Sequence, residues 1–126
     1  MKISFEKTGL MAIAKLANAM IAADGKVAEN EMCSWTMEME RLGIPHEEFA
    51  SIYEASESMP FTEALTVVTS LDTEHKRYVG AFLGSLMAID GEIDNDELKL
   101  WQLVSTFCDL PTMTVLEALT YMSSLD

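Results

Sequence analysis

Ala22-Ala23-Asp24-Gly25-Lys26-Val27-Ala28-Glu29-Asn30-Glu31 returns later in the chain as Ala88-Ile89-Asp90-Gly91-Glu92-Ile93-Asp94-Asn95-Asp96-Glu97. In each copy an apolar run ends at Asp-Gly, an apolar residue follows, and a Glu stands seven residues after the Asp. The overlay extends without a gap from Leu10–Glu54 onto Lys76–Thr120, a shift of 66 residues. Ala22, Asp24, Gly25, Glu31, Trp35 and Pro45 fall on Ala88, Asp90, Gly91, Glu97, Trp101 and Pro111. Apolar character is kept at Ile13/Val79, Leu16/Phe82, Met20/Leu86, Val27/Ile93, Met32/Leu98 and Ile44/Leu110. Trp, Pro and Asp-Gly are uncommon, so their shared register marks an internal repeat. Two units are too few for a solenoid. They predict one closed, pseudo-twofold domain.

The spacing around the two loops is helical. Ile13, Leu16, Ala17, Met20 and Ile21 repeat at three and four residues, and the run is interrupted by the turn signal Asp24-Gly25. The chain is predicted to be all-α, with seven helices over about 5–23, 28–42, 45–57, 62–71, 72–89, 95–108 and 111–123. The repeat halves are then about 5–57 and 72–123, joined by the short helix 62–71. Gly43 reads as a C′ glycine. Pro45 and Pro111 read as helix openers. Asp72 or Thr73 reads as an N-cap, and Asp94 with Glu97 has the spacing of a capping box. Val67-Val68-Thr69 is the only strand-like patch, and its neighbours are helical. Ala14, Asn18 and Ala22, and their partners Gly80, Gly84 and Ala88, line one side of a helix with small residues. That predicts a close central crossing of the helices 5–23 and 72–89.

The chain has 126 residues and a formal net charge of −13, from 21 acidic against 8 basic side chains. That length suits one domain with a substantial core. The acids are spread over both halves, which argues against an acidic tail. An acidic excess also argues against nucleic acid, where Lys and Arg supply the affinity. It favours cations or basic protein surfaces as partners. The first apolar run is interrupted by Lys15 and Asn18, and it is one copy of an internal repeat. It reads as a core helix, neither a signal peptide nor a membrane span. Cys33 and Cys108 do not correspond under the repeat and read as buried free thiols of a cytoplasmic protein.

Against the twelve-position calcium loop of an EF-hand, Asp24, Gly25, Val27 and Glu31 fit positions 5, 6, 8 and 12, as do Asp90, Gly91, Ile93 and Glu97. Positions 1 and 3 are Met20 and Ala22, then Leu86 and Ala88, which cannot bind a hard cation. The loops therefore argue against an ordinary EF-hand pair, and any ion would sit between elements. Two readings of the acids stay open. In one, Asp-Gly makes a turn and Asp94 with Glu97 caps the next helix. In the other, Asp24, Glu31, Asp90, Asp94 and Glu97 converge on a divalent cation, because gathered carboxylates repel unless neutralised.

The duplicated Ala-Asp-Gly (Ile-Asp-Gly in the second copy), apolar residue and Glu resembles the tellurite-resistance TerB family, over nearly the whole chain. The resemblance implies an all-helical, seven-helix cytosolic fold without known catalysis. It implies metal binding through the acids of the motif, and related domains occur in co-chaperone-like proteins of the DjlA type. The matching residues are Asp24, Glu31, Asp90 and Glu97. Ala28 departs from the pattern, since many members carry an acid or hydroxyl there, so the second loop is the better-equipped one.

The remaining residues point away from chemistry. Trp35 and Trp101 read as core, His46 and His75 as exposed polar residues, and most of the ten methionines as core filler. Met37 and Met39 cannot face the same side of a straight helix. No phosphate loop, zinc spacing or nucleophile constellation is present in the sequence. The expectation is a non-enzymatic binding domain without an organic cofactor. Its partner is a divalent cation or a basic protein surface, with homodimer formation open. The rival reading is a purely structural or protein-interaction module.

Overall fold

A computed structural model describes residues 3–22, 36–40, 42–88 and 93–125. The first element, α1 (Lys7–Ala22), is apolar on most of its circumference and buries Leu10, Ile13, Leu16, Ala17 and Met20. A helix that apolar must be covered on several sides. It is packed by α2 (His46–Ser58), α3 (Phe61–Thr69), α4 (Thr73–Met87) and α5 (Asn95–Phe107). The second central helix is α4, which is buried almost continuously from Tyr78 to Met87. It packs on α1 and α5, and most extensively on the last helix, α6 (Val115–Ser124). Among the described residues every regular element is helical, in one domain, and no helix is long and apolar enough to cross a membrane. Val67 and Val68 lie inside α3, so helical context outweighs their strand preference.

Helix ends follow local chemistry. Asp72 caps α4 by accepting from the His75 amide at 2.8 Å. Residues 36–40 are helical, and the helix closes with Gly43 at φ +81°. There the Gly43 amide donates to Glu40 O (2.9 Å) and the Ile44 amide to Met39 O (3.1 Å). This is a Schellman closure with glycine at C′. The same closure ends α5 with an aspartate in that place. Asp109 has φ +55°, its amide donates to Thr106 O (3.3 Å), and the Leu110 amide donates to Ser105 O (2.8 Å).

Two expectations are corrected. Pro111 does not open the last helix. Residues 111–114 are irregular, and α6 starts at Val115 behind a full capping box. The Thr114 hydroxyl accepts from the Glu117 amide (3.1 Å), and the Glu117 carboxylate accepts from the Thr114 amide (2.9 Å). Satisfying two orphan donors at once outweighs the preference of Pro for a first turn. The delay lets Met113 lie over Gly80, with its terminal methyl 3.4 Å from where a Cβ would stand.

The second correction concerns the small-residue faces. The helices α1 and α4 do pack together, but Gly80 and Gly84 are not the surface they share. A Cβ on Gly84 would meet Trp101 Cζ2 at 2.7 Å and the Ala118 Cβ at 3.0 Å. Gly84 therefore receives the indole and α6, and Gly80 receives Met113 and Leu110. On α1, Asn18 likewise turns to α2, where the Tyr53 hydroxyl donates to its Oδ1 at 3.4 Å. A smooth strip states that something approaches closely, without stating which element.

Candidate functional site

The described part of the second acidic loop is the start of α5. Asp94 stands at the N-cap in extended backbone, and its Oδ1 accepts from the amides of Asp96 (2.8 Å) and Glu97 (3.3 Å). Those amides have no partner within the helix, so the carboxylate completes the first turn and meets the positive end of the helix dipole. Asp94 thus performs the capping of the structural reading. Glu97, one turn on, is buried, with 2% of its surface exposed. The helix interior explains the burial: Glu97, Trp101, Val104 and Cys108 form one strip at spacings of four, three and four, and all four are buried. A carboxylate on a core strip carries a desolvation cost that must be met by hydrogen bonds or opposite charge.

Of the five acids read as a cation site, the structure thus brings Asp94 and Glu97 to one helix turn. Asp24, Glu31 and Asp90 lie outside the described residues, as do Trp35 and Cys33. Among the described residues no group of three or more His, Cys, Asp and Glu side chains is placed to hold a metal ion.

Trp101 anchors the same helix. Its Nε1–H donates to the Gly80 carbonyl at 2.9 Å, and its ring fills the space that Gly84 leaves open. Cys108 is fully buried, and its thiol donates to Leu65 O at 3.4 Å. Burial pushes that thiol up from its ordinary value, which disfavours the reactive thiolate.

Sequence reasoning missed a second buried acid. Glu38 is buried and accepts from the Tyr78 hydroxyl at 2.7 Å, tying the 36–40 helix to α4. The signal was available: Glu38 stands next to Met39 and three residues after Trp35, at the spacing of a core strip. Met39 is buried and Met37 is 68% exposed, as a two-residue spacing on a helix requires.

The two histidines separate. His46 is exposed, with its Nε2 3.0 Å from Glu40 Oε1. His75, expected to be exposed, is instead partly buried and engaged on both nitrogens, to Asp72 Oδ1 at 2.7 Å and to Ser4 O at 2.8 Å. Its ring meets the edge of Phe5, with centroids 4.9 Å apart and planes at 86°. Nothing in the local pattern Glu74-His75-Lys76 announces a partner 71 residues away.

The outer surface of α5 is unusual for a water-facing helix. Leu103 is 63% exposed and Phe107 61%. With the half-buried Leu100 they continue the line of the exposed Asp96, at spacings of four, three and four. On α6, Leu116 is 73% exposed. Leu103 and Phe107 thus leave large apolar side chains grouped, rather than scattered, on one face of α5.

No protein-family model matches the sequence, and no curated protein matches it. Among solved structures, the crystal structure of PG1108, a protein of unknown function from Porphyromonas gingivalis, is similar over almost the whole fold. It shares 41% sequence identity with this chain, the alignment covers 98% of this chain and 93% of that one, and the TM-score is 0.86.

Proposed function

We propose, for a chain that belongs to the same family as this Porphyromonas gingivalis protein, that it is a non-enzymatic TerB-like binding domain whose partner is a basic protein segment. The observation that carries this reading is the apolar line Leu100, Leu103 and Phe107 on a surface of net charge −13. Asp96 stands at one end of that line, and the exposed Asp109 follows the helix at the other. Such a strip fits an amphipathic helix with apolar residues at i, i+3 or i+4 and i+7 and basic residues at its margins. A second copy of this chain fits less well, because it brings a further charge of −13 against the first.

A designed Leu/Lys amphipathic peptide serves as the probe, with calorimetry as the readout and ultracentrifugation to report self-association. The test variant is Leu103→Asp/Phe107→Asp. If the peptide docks on the strip, this variant weakens binding by about tenfold or more, as expected for losing apolar anchors. If attraction were only to net charge, two added carboxylates would tighten binding, and that result would refute the docking surface. A homodimer abolished by the same variant would assign the strip to self-association.

The burial of Glu97, seven residues after Asp90, favours a second reading, a divalent cation held by the acidic loops. It draws on Asp24, Glu31, Asp90 and Glu97, with Asp94 supporting the turn. Titration with magnesium, calcium, manganese and zinc is expected to give a saturable rise in melting temperature that Asp90→Asn/Glu97→Gln loses. At a cation concentration a hundred times the Kd the stabilisation is about 2.7 kcal/mol. No saturable change at millimolar cation would remove this reading and leave the peptide result untouched.

A further inference from the structure

We propose that His75 is a pH-operated clasp, which holds the segment Ile3–Glu6 against the core when its ring is protonated and loosens that segment when the ring is neutral. The geometry carries the proposal. Both ring nitrogens face acceptors: Nδ1 faces the Asp72 carboxylate at 2.7 Å and Nε2 faces the Ser4 carbonyl at 2.8 Å. Only the imidazolium can donate from both nitrogens. A neutral ring has one N–H, and the Asp72 carboxylate is the stronger acceptor. The proton therefore stays on Nδ1, and a lone pair on Nε2 is left facing the Ser4 oxygen. That contact becomes repulsive, and the backbone of Ser4 loses its tie to α4.

The acidic groups around the ring all favour the charged form. Asp72 lies at the N-cap, Glu74 is its neighbour on α4, and Glu6 on the N-terminal segment lines the same surface groove as His75. Burial works against the charge, but the hydrogen bonds to Asp72 and to the Ser4 carbonyl, with the attraction of Asp72 and Glu74, outweigh it and raise His75 above its ordinary 6.5. Asp72 is held below its ordinary 3.8, first by the His75 amide and then by the His75 ring.

The sign follows from these directions. The contribution of His75 is complete below pH 6.5, the unfolded value, and is lost as pH rises through its higher folded value. The contribution of Asp72 is complete above 3.8 and is lost as pH falls through its lower folded value. The clasp is closed between those limits and opens on the alkaline side. Opening frees Phe5, which contacts the rings of both His75 and Tyr78 (5.4 Å between the Phe5 and Tyr78 centroids), and Tyr78 in turn holds Glu38. The N-terminal segment is thereby connected to the 36–40 helix through one aromatic contact and one hydrogen bond.

The test is nitrogen-detected NMR of the His75 ring across pH 5 to 9, with NOEs between the carbon-bound ring protons of Phe5 and Tyr78 as the readout of the docked segment. His46→Gln removes the other imidazole. The expected result is a ring protonated on both nitrogens at pH 5.5, titrating above 6.5. The Phe5–Tyr78 NOEs should weaken through the same pH range, as the ratio of docked to loosened segment falls by about fivefold to tenfold, the scale of one hydrogen bond. His75→Gln, with a single side-chain NH2 donor group and no titration, should show pH-independent NOEs. Titration at or below 6.5, equal Phe5–Tyr78 NOEs at pH 5.5 and 8.5, or an unchanged pH dependence in His75→Gln would each overturn the clasp.

Discussion

Trp101→Ala is expected to lower stability by about 3–5 kcal/mol, the cost of deleting a buried large aromatic. A small domain holds only about 5–15 kcal/mol in total, so this one change removes a large share. The indole joins α5, α4 and α6: its ring lies over Gly84 beside Ala118, and its Nε1–H reaches the Gly80 carbonyl. Alanine would leave a cavity between three helices whose backbones are already close. Trp101→Phe separates the two contributions. It keeps much of the buried area and gives up the hydrogen bond, so it should cost less, with about 1 kcal/mol of its loss from that bond. Urea unfolding followed by far-ultraviolet circular dichroism checks both. A midpoint for Trp101→Ala that implies a loss under 1 kcal/mol would show that the helices close around the cavity and that the anchor is dispensable.

The second large effect has the opposite sign to what helix propensity predicts. Gly84→Ala within α4 would gain about 1 kcal/mol on propensity alone. The structure predicts a net loss instead. A Cβ there stands 2.7 Å from Trp101 Cζ2 and 3.0 Å from the Ala118 Cβ. The indole is rigid and pinned by its hydrogen bond, and the Ala118 Cβ is fixed to backbone, so neither yields without moving a helix. Overpacking of this kind costs about 1–3 kcal/mol. The cause is tested by coupling. In a Trp101→Leu background, which removes the nearer obstruction and leaves only the Ala118 Cβ, Gly84→Ala should cost clearly less, giving an interaction energy of about 1–3 kcal/mol. Additive losses in the double variant would place the clash elsewhere.

These expectations show where sequence and structure part. The helical class, the capping role of Asp72 and Asp94, the C′ position of Gly43 and the opposite faces of Met37 and Met39 were legible, because each depends on residues a few positions apart. The Thr114-x-x-Glu117 box was equally local, and Pro111 masked it by offering a competing start. The candidate site was legible as a list of acids, and the structure divides the described pair by role: Asp94 spends its carboxylate on the helix end, while Glu97 is carried inward on the strip of Trp101. Glu38 shows the same logic, since its place on a core strip was readable but its partner Tyr78, 40 residues on, was not.

By itself, then, the sequence determined the all-helical class, several of the caps and closures that end its helices, and an acidic composition. Hydrogen bonding within a turn and apolar spacing are local properties that survive any arrangement of the helices. The tertiary structure alone decided which neighbour each face receives. It set Trp101, α6 and the segment leading into α6, not α1, against the glycines of α4, and it set the Ser4 carbonyl against a histidine that reads as an ordinary exposed residue. Those contacts join positions tens of residues apart, and they exist only once packing has brought the helices together.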